Sequence, residues 1–149
     1  MPLDPEAIEK IRANLELLEK QERAPVISIG HLTEAQHQAI NEHRASEALP
    51  PLESAEVLYL GRHHFTSRSN DGYKITDMIE QIKSGMSSEA EFYKDPRKPH
   101  ATALINNNPR NDGYGNQVND LAVLELTSRK PRAELYSVIP KGDDNKPQK

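Results

Sequence analysis

A chain of 149 residues with 35% hydrophobic and 28% charged side chains is long enough for one real core and too short for two full domains. It has no cysteine, which excludes disulfides, thiol nucleophiles and thiolate metal sites and favours an intracellular, cytoplasmic home. No run approaches the ~18 apolar residues of a membrane span, and MPLDPEAIEK lacks the basic and apolar regions of a secretory signal, so no membrane partner is expected.

The net charge of −4 is unevenly spread. Residues 1–60 carry eleven acids against five bases, and residues 61–149 carry twelve acids against fourteen bases. An anionic ligand suits the second part, although its small excess falls short of a dedicated DNA binder.

Asp4-Pro5 reads as a helix start, with Asp as N-cap, Pro in the first turn and Glu6 and Glu9 near the positive end of the dipole. Ile8, Ile11, Leu15 and Leu18 recur at helical spacing to about Glu22, before Pro25. Two readings of this helix stay open: it packs on the domain, or it is an arm that docks on a partner. Val26 to Ile29 forms a short strand, and Thr33 with Gln36 forms a capping box for a second helix ending near Ala45. Its apolar face is weak, made of Ala35, Ala39 and Ile40. His31, His37 and His43 lack the i, i+4 spacing of a zinc face and read as surface histidines.

Pro50-Pro51 marks a loop, Glu56 to Leu60 a strand, and Gly61 its end. Arg62 to Asn70 reads as a short helix or an irregular loop. Thr76 is the expected cap of a helix whose Ile75, Ile79, Ile82 and Met86 form one stripe, closed by Gly85 and Ser87-Ser88. Glu89 to His100 is polar and interrupted by Pro96 and Pro99, a surface loop. Ala101 to Ile105 is a strand. Val118 to Leu126 and Ala133 to Ile139 form an antiparallel hairpin, the second alternating Leu135 and Ser137 against Tyr136 and Val138. The expected class is α+β, with N-terminal helices plus a small antiparallel sheet and a helix packed on one face. It divides into an acidic helical region over 1–46, an α+β domain over 55–142 and a disordered tail over 143–149.

The tetrapeptide Asn-Asp-Gly-Tyr occurs at 70–73 and again at 111–114, each just after an arginine. The flanks do not match, so this is no extended repeat. Either turn chemistry alone produced it, or two loops present Arg and Tyr to one cleft.

Chemically able side chains concentrate between Leu58 and Met86. Arg62, His63, His64, Ser67, Arg68 and Tyr73 lie within twelve positions. Phosphate-loop, dinucleotide, zinc-protease and serine-hydrolase motifs are absent, and no cofactor is expected. Imidazole, guanidinium and hydroxyl suffice for metal-free RNA cleavage. A base takes the ribose 2′-hydroxyl proton, cations stabilise charge on phosphorus, and an acid protonates the leaving oxygen. Tyr73 or Tyr114 would stack a base. Against this stands a bland reading: the stretch is a solvated loop with Arg68 paired to Glu80 or Asp77. His63 and His64 are adjacent and so point to different faces.

A strand, then His-x-x-x-Arg (His64 to Arg68), then a helix entered through Ile-Thr-Asp-Met-Ile (75–79), then an antiparallel sheet resembles the barnase–EndoU–colicin–RelE superfold. It is most similar to its small domains in bacterial toxin systems and on phage or mobile-element proteins. The resemblance covers about Val57 to Gly142. It implies a metal-independent endoribonuclease, a toxin-type hydrolase, with His64 as acid or base, Arg68 and Arg110 on the phosphate, and Ser67 or Thr127 as supporting hydroxyls. Arg62, His63, Ser67, Tyr73 and Tyr114 would bind RNA. The implied partners are RNA and an immunity, antitoxin or host protein held by the acidic N-terminal helices. Glu125 is the only candidate for a central-strand glutamate, and a late histidine is lacking. The alternative is therefore a non-catalytic phage or mobile-element accessory protein that binds another protein, for example as an acidic nucleic-acid mimic. ADP-ribosyl transfer ranks last, because no dinucleotide motif accompanies the Tyr, His and Arg.

Overall fold

The structure is a computed structural model that describes residues 3–94, 101–126, 132–142 and 147. In chain order these form α1 (Ala7–Glu19), β1 (Ile27–His31), α2 (Glu34–Ser46), β2 (Glu56–Tyr59), α3 (Arg62–Asn70) and α4 (Ile75–Gly85). Then follow β3 (Glu91–Tyr93), β4 (Ala101–Ile105), β5 (Arg110–Asn111), β6 (Gln117–Glu125) and β7 (Ala133–Lys141). The fold is α+β. Its 7-stranded sheet runs β1-β2-β7-β6-β4-β3, with β5 paired to β6. Pairings are antiparallel except β2 with β7, which is parallel.

Side chains alternate across the sheet as the pleat requires. Val57, Tyr59, Leu104, Ala122, Leu124, Leu135 and Val138 are buried on the face that meets the helices. Leu58, Val123, Glu125 and Glu134 point the other way and are half-exposed. Helix α4 packs on β6 and β7, α3 on β7, and α1 on β1 as well as on α3 and α4. Gly85 sets the approach of α4: a Cβ there would lie 3.2 Å from Val138 and 3.3 Å from Ala122. Ile11 and Leu15 of α1 share one buried cluster with Ile82, Leu124 and Leu135, so segments 1–46 and 55–142 close on a common core. The tail expected over 143–149 falls outside the described residues except for Pro147, as does the polar 95–100 stretch.

The local differences from expectation have local causes. Asp4 is not the N-cap of α1; its N–H donates to the Ile29 carbonyl while Leu3 bridges Gly30. That ties the segment to the sheet, and the helix begins only behind Glu6. Thr33 and Gln36 do form the capping box of α2, but its buried stripe is Gln36, Ile40 and Arg44, with Ala35 exposed. Both polar members are hydrogen-bonded: Gln36 donates to the carbonyls of Ser87 and Ala90, and Arg44 to that of Pro50. Thr76 does not cap α4. The helix starts one residue earlier, and Asp77 in its first turn accepts the Lys74 N–H at 2.8 Å. Part of the expected loop at 89–100 is strand β3, paired with β4.

Among the described residues no helix is long and apolar enough to cross a membrane. None of their His, Asp or Glu side chains group in threes able to hold a metal ion. His37 bonds the Leu52 carbonyl, His43 lies against Phe92, and His31 is exposed.

Candidate functional site

Gly61 turns the chain from β2 into α3 in the left-handed region, at φ 76°, which favours glycine. A side chain here would also strike the Asn14 amide oxygen, 2.7 Å from the Cβ position. Residues four apart then share a side of α3. His64 and Arg68 face inward, while Arg62, His63, Thr66 and Ser67 line the outward side.

His64 is 0% exposed. Its Nδ1 lies 3.0 Å from the Tyr59 hydroxyl and its Nε2 3.0 Å from the Gln81 Oε1. That oxygen only accepts, so Nε2 carries the hydrogen and Nδ1 accepts from Tyr59. Burial lowers the His64 pKa to about 4; the Gln81 bond opposes this, and the nearby charges of Arg68 and His63 add to it. Burial likewise raises the Tyr59 phenol. The result is a neutral chain of polar groups that pins α3 and α4 to the sheet. A general acid or base has to reach the proton it moves, and solvent does not reach this ring.

Arg68 is also committed inward. Its guanidinium lies 3.4 Å from Asp71 and donates to the Val138 carbonyl, with 11% of the side chain exposed. Asp71, not Glu80 or Asp77, is the acid beside it. Arg110 grips Asp120 with two bonds, 2.6 and 3.1 Å long. Burial pushes the Asp120 carboxyl up, and the guanidinium and Ser84 pull it back. Burial would lower Arg110, but the Asp120 bond raises it overall.

The two Asn-Asp-Gly-Tyr turns meet in space while doing different jobs. At 70–73 the tetrapeptide ends α3. Gly72 and Tyr73 donate their N–H groups to the Ser69 and Arg68 carbonyls, a Schellman pattern with Gly72 at φ 95°. At 111–114 it forms a side-chain-stabilised turn, with Asn111 accepting from the Gly113 N–H and Asp112 from the N–H groups of Tyr114 and Asn116. Tyr73 is buried against Asp112, and its ring lies edge-on to Tyr114 at 5.8 Å. Tyr114 donates to Asp77 at 2.7 Å, which with burial pushes its phenol up to about 12. Both tyrosines therefore stitch loops together.

The outward side of α3 is different. The His63 ring stacks on Tyr136, centroids 4.0 Å apart and planes 17° apart, and its Nε2 lies 3.2 Å from the Ser67 hydroxyl. With Leu60, Arg62 and Thr66 these rings line a concavity of about 320 Å³. It shares Leu60, Arg62 and Thr66 with a larger groove, about 690 Å³, between the 18–26 segment and the start of α3. Leu18, Val26, Leu60 and Phe65 supply the apolar lining, with Arg23 and Arg62 among its charged residues. Val26 is 56% and Leu60 40% exposed.

Of the expected site residues, the structure brings together Arg62, His63 and Ser67. It sets His64, Arg68, Tyr73, Arg110 and Tyr114 in structural contacts. Glu125 lies on the outer face of the sheet opposite Glu134, and Thr127 is outside the described residues. Tyr136 was not expected in the site. Its alternating strand pattern is broken by a bulge: Leu135 pairs with Leu124 and Ser137 with Val123, leaving Tyr136 unpaired and free to meet α3. Arg23, Val26 and Leu60 carry no motif, and only the packing of α1 beside α3 makes them neighbours. No protein-family model, curated protein or solved structure matches the chain.

Proposed function

We propose that the protein works as a binding module that holds another protein in the groove between the 18–26 segment and α3. One observation carries this reading. Of the three large hydrophobic side chains exposed among the described residues, two, Val26 and Leu60, line the same groove. Exposed apolar residues grouped on one surface and rimmed by polar ones mark a site of protein contact. The reading also needs no catalytic base at His64, whose ring is sealed in the core.

A second reading, metal-independent RNA cleavage, is favoured by His63. Its ring is positioned by Tyr136 and Ser67 beside an exposed Arg62. In that case His63 would exchange the proton of the ribose hydroxyl and Arg62 would hold the phosphate.

Both readings are tested on the full chain by comparing wild type, Leu60→Asp and His63→Ala, with folding checked by circular dichroism. The binding reading expects a defined protein captured from a lysate of the source cell by wild type and His63→Ala and lost from Leu60→Asp. Metal-free RNA cleavage that falls by about a hundredfold or more in His63→Ala, with no protein captured, overturns it in favour of the second. Neither capture nor cleavage overturns both.

A further inference from the structure

We infer that the groove is built for a linear segment of another protein that carries a carboxylate next to an aliphatic side chain. This inference rests on the protein-binding reading and adds the chemistry of the partner.

The argument is charge and shape complementarity around Arg62. This residue lines both concavities, so it sits where they join. Arg23 is the second cation of the larger groove, and Glu22 its one anion. Among the described residues neither Arg23 nor Arg62 has an ion-pair partner, unlike Arg68 and Arg110. The Arg62 fork matches a carboxylate in geometry, and the apolar surface of Leu60 beside it reduces the water that would screen the pair. On one side of that anchor, Leu18, Val26, Leu60 and Phe65 offer an aliphatic seat. On the other, the stacked His63 and Tyr136 rings offer a flat wall. A nucleic acid would satisfy the arginines but has no aliphatic side chain for the seat.

The test selects displayed random short peptides on the immobilised full chain. The best peptide is then titrated by fluorescence polarisation against wild type, Leu60→Asp, Arg62→Glu and Arg23→Glu. All three positions are on the surface, and circular dichroism confirms folding. The expected selection is enriched in Asp or Glu beside Leu, Ile or Val. Leu60→Asp and Arg62→Glu each weaken binding by about tenfold or more. A peptide with Lys in place of the acid regains affinity for Arg62→Glu.

Peptides without the acid–aliphatic pair, or unchanged affinity in Arg62→Glu, overturn the inference. The binding reading survives that result if Leu60→Asp still abolishes binding, and falls with it if Leu60→Asp has no effect. A short single-stranded RNA that binds wild type and Leu60→Asp equally and displaces the peptide overturns the inference in favour of nucleic acid. A concentration-dependent dimer in sedimentation, lost in Leu60→Asp and Arg62→Glu, makes the occupant a second copy and overturns it as well. An empty selection overturns it outright.

Discussion

The Tyr73 hydroxyl donates to the Asp112 carboxylate at 3.3 Å and so joins the two copies of Asn-Asp-Gly-Tyr across the fold. Asp112 also accepts from the Asn116 side chain and from two backbone N–H groups. Burial alone would raise its pKa, but these donors hold it below the usual carboxylate value.

Removing that one donor should cost little, and removing the acceptor should cost more. Tyr73→Phe is expected to lower unfolding free energy by about 1 kcal/mol, and Asp112→Ala by about 3 kcal/mol because several donors lose their acceptor. Urea titration measures both. A folded pKa below the unfolded value makes the Asp112 contribution full above the unfolded pKa and lost as pH falls through the folded one. Equal costs for the two variants would mean that Asp112 does not organise the loop.

His64 gives the protein an acid-sensitive core. In the unfolded chain its imidazole takes a proton near pH 6.5, and in the fold only near pH 4. Between those values the unfolded state binds more protons. Stability is therefore full above the upper value and declines towards the lower one, by a total on the order of 3 kcal/mol. Urea unfolding at a series of pH values should show this decline in wild type and a flatter profile in His64→Gln. A NMR-measured His64 pKa near the unfolded value would sink the prediction. Loss of function in His64→Ala would reflect the core, not catalysis.

Arg110 is a structural partner of Asp120. In Arg110→Met the Asp120 carboxylate, 0% exposed, loses its guanidinium, and the fold should lose about 3 kcal/mol. Adding Asp120→Leu should recover much of that loss in a thermal melt. No recovery would show that Arg110 acts through some other contact.

Two helices end on residues poorly suited to their backbone. Gln21 (φ 61°) and Ala48 (φ 56°) follow the caps of α1 and α2, where Schellman bonds run from Glu22 to Leu17 and from Leu49 to Arg44. Gly removes the side-chain strain of the left-handed conformation but loses more chain entropy, so each of Gln21→Gly and Ala48→Gly should stabilise by roughly 0.5 kcal/mol. A lower urea midpoint for either variant would contradict this.

Elements governed by neighbours in sequence were legible. The Thr33–Gln36 cap, the stripe of Ile79, Ile82 and Met86 and the β6–β7 hairpin all follow from spacing. The site was legible only in part. Adjacent histidines had to diverge, but α3 carries no apolar stripe to say which one faces inward, and His64 went to the core. The Tyr136 bulge depends on pairing with β6. The groove depends on α1 lying beside α3, a contact that no local pattern encodes.

Strand β7 comes last among the described strands but lies in the middle of the sheet, between β2 and β6. Until residues 133–141 arrive, β1-β2 and β6-β4-β3 are separate ribbons, each presenting an unsatisfied edge. Synthesis runs from the N-terminus, so the β2 edge stays open from residue 59 until residue 133 is made, whereas the β6 edge waits only from residue 125. Native closure then waits on a contact that spans more than half of the polypeptide, which slows folding. The smaller concavity that adjoins the groove is finished only at that step, because Tyr136 travels with the closing strand.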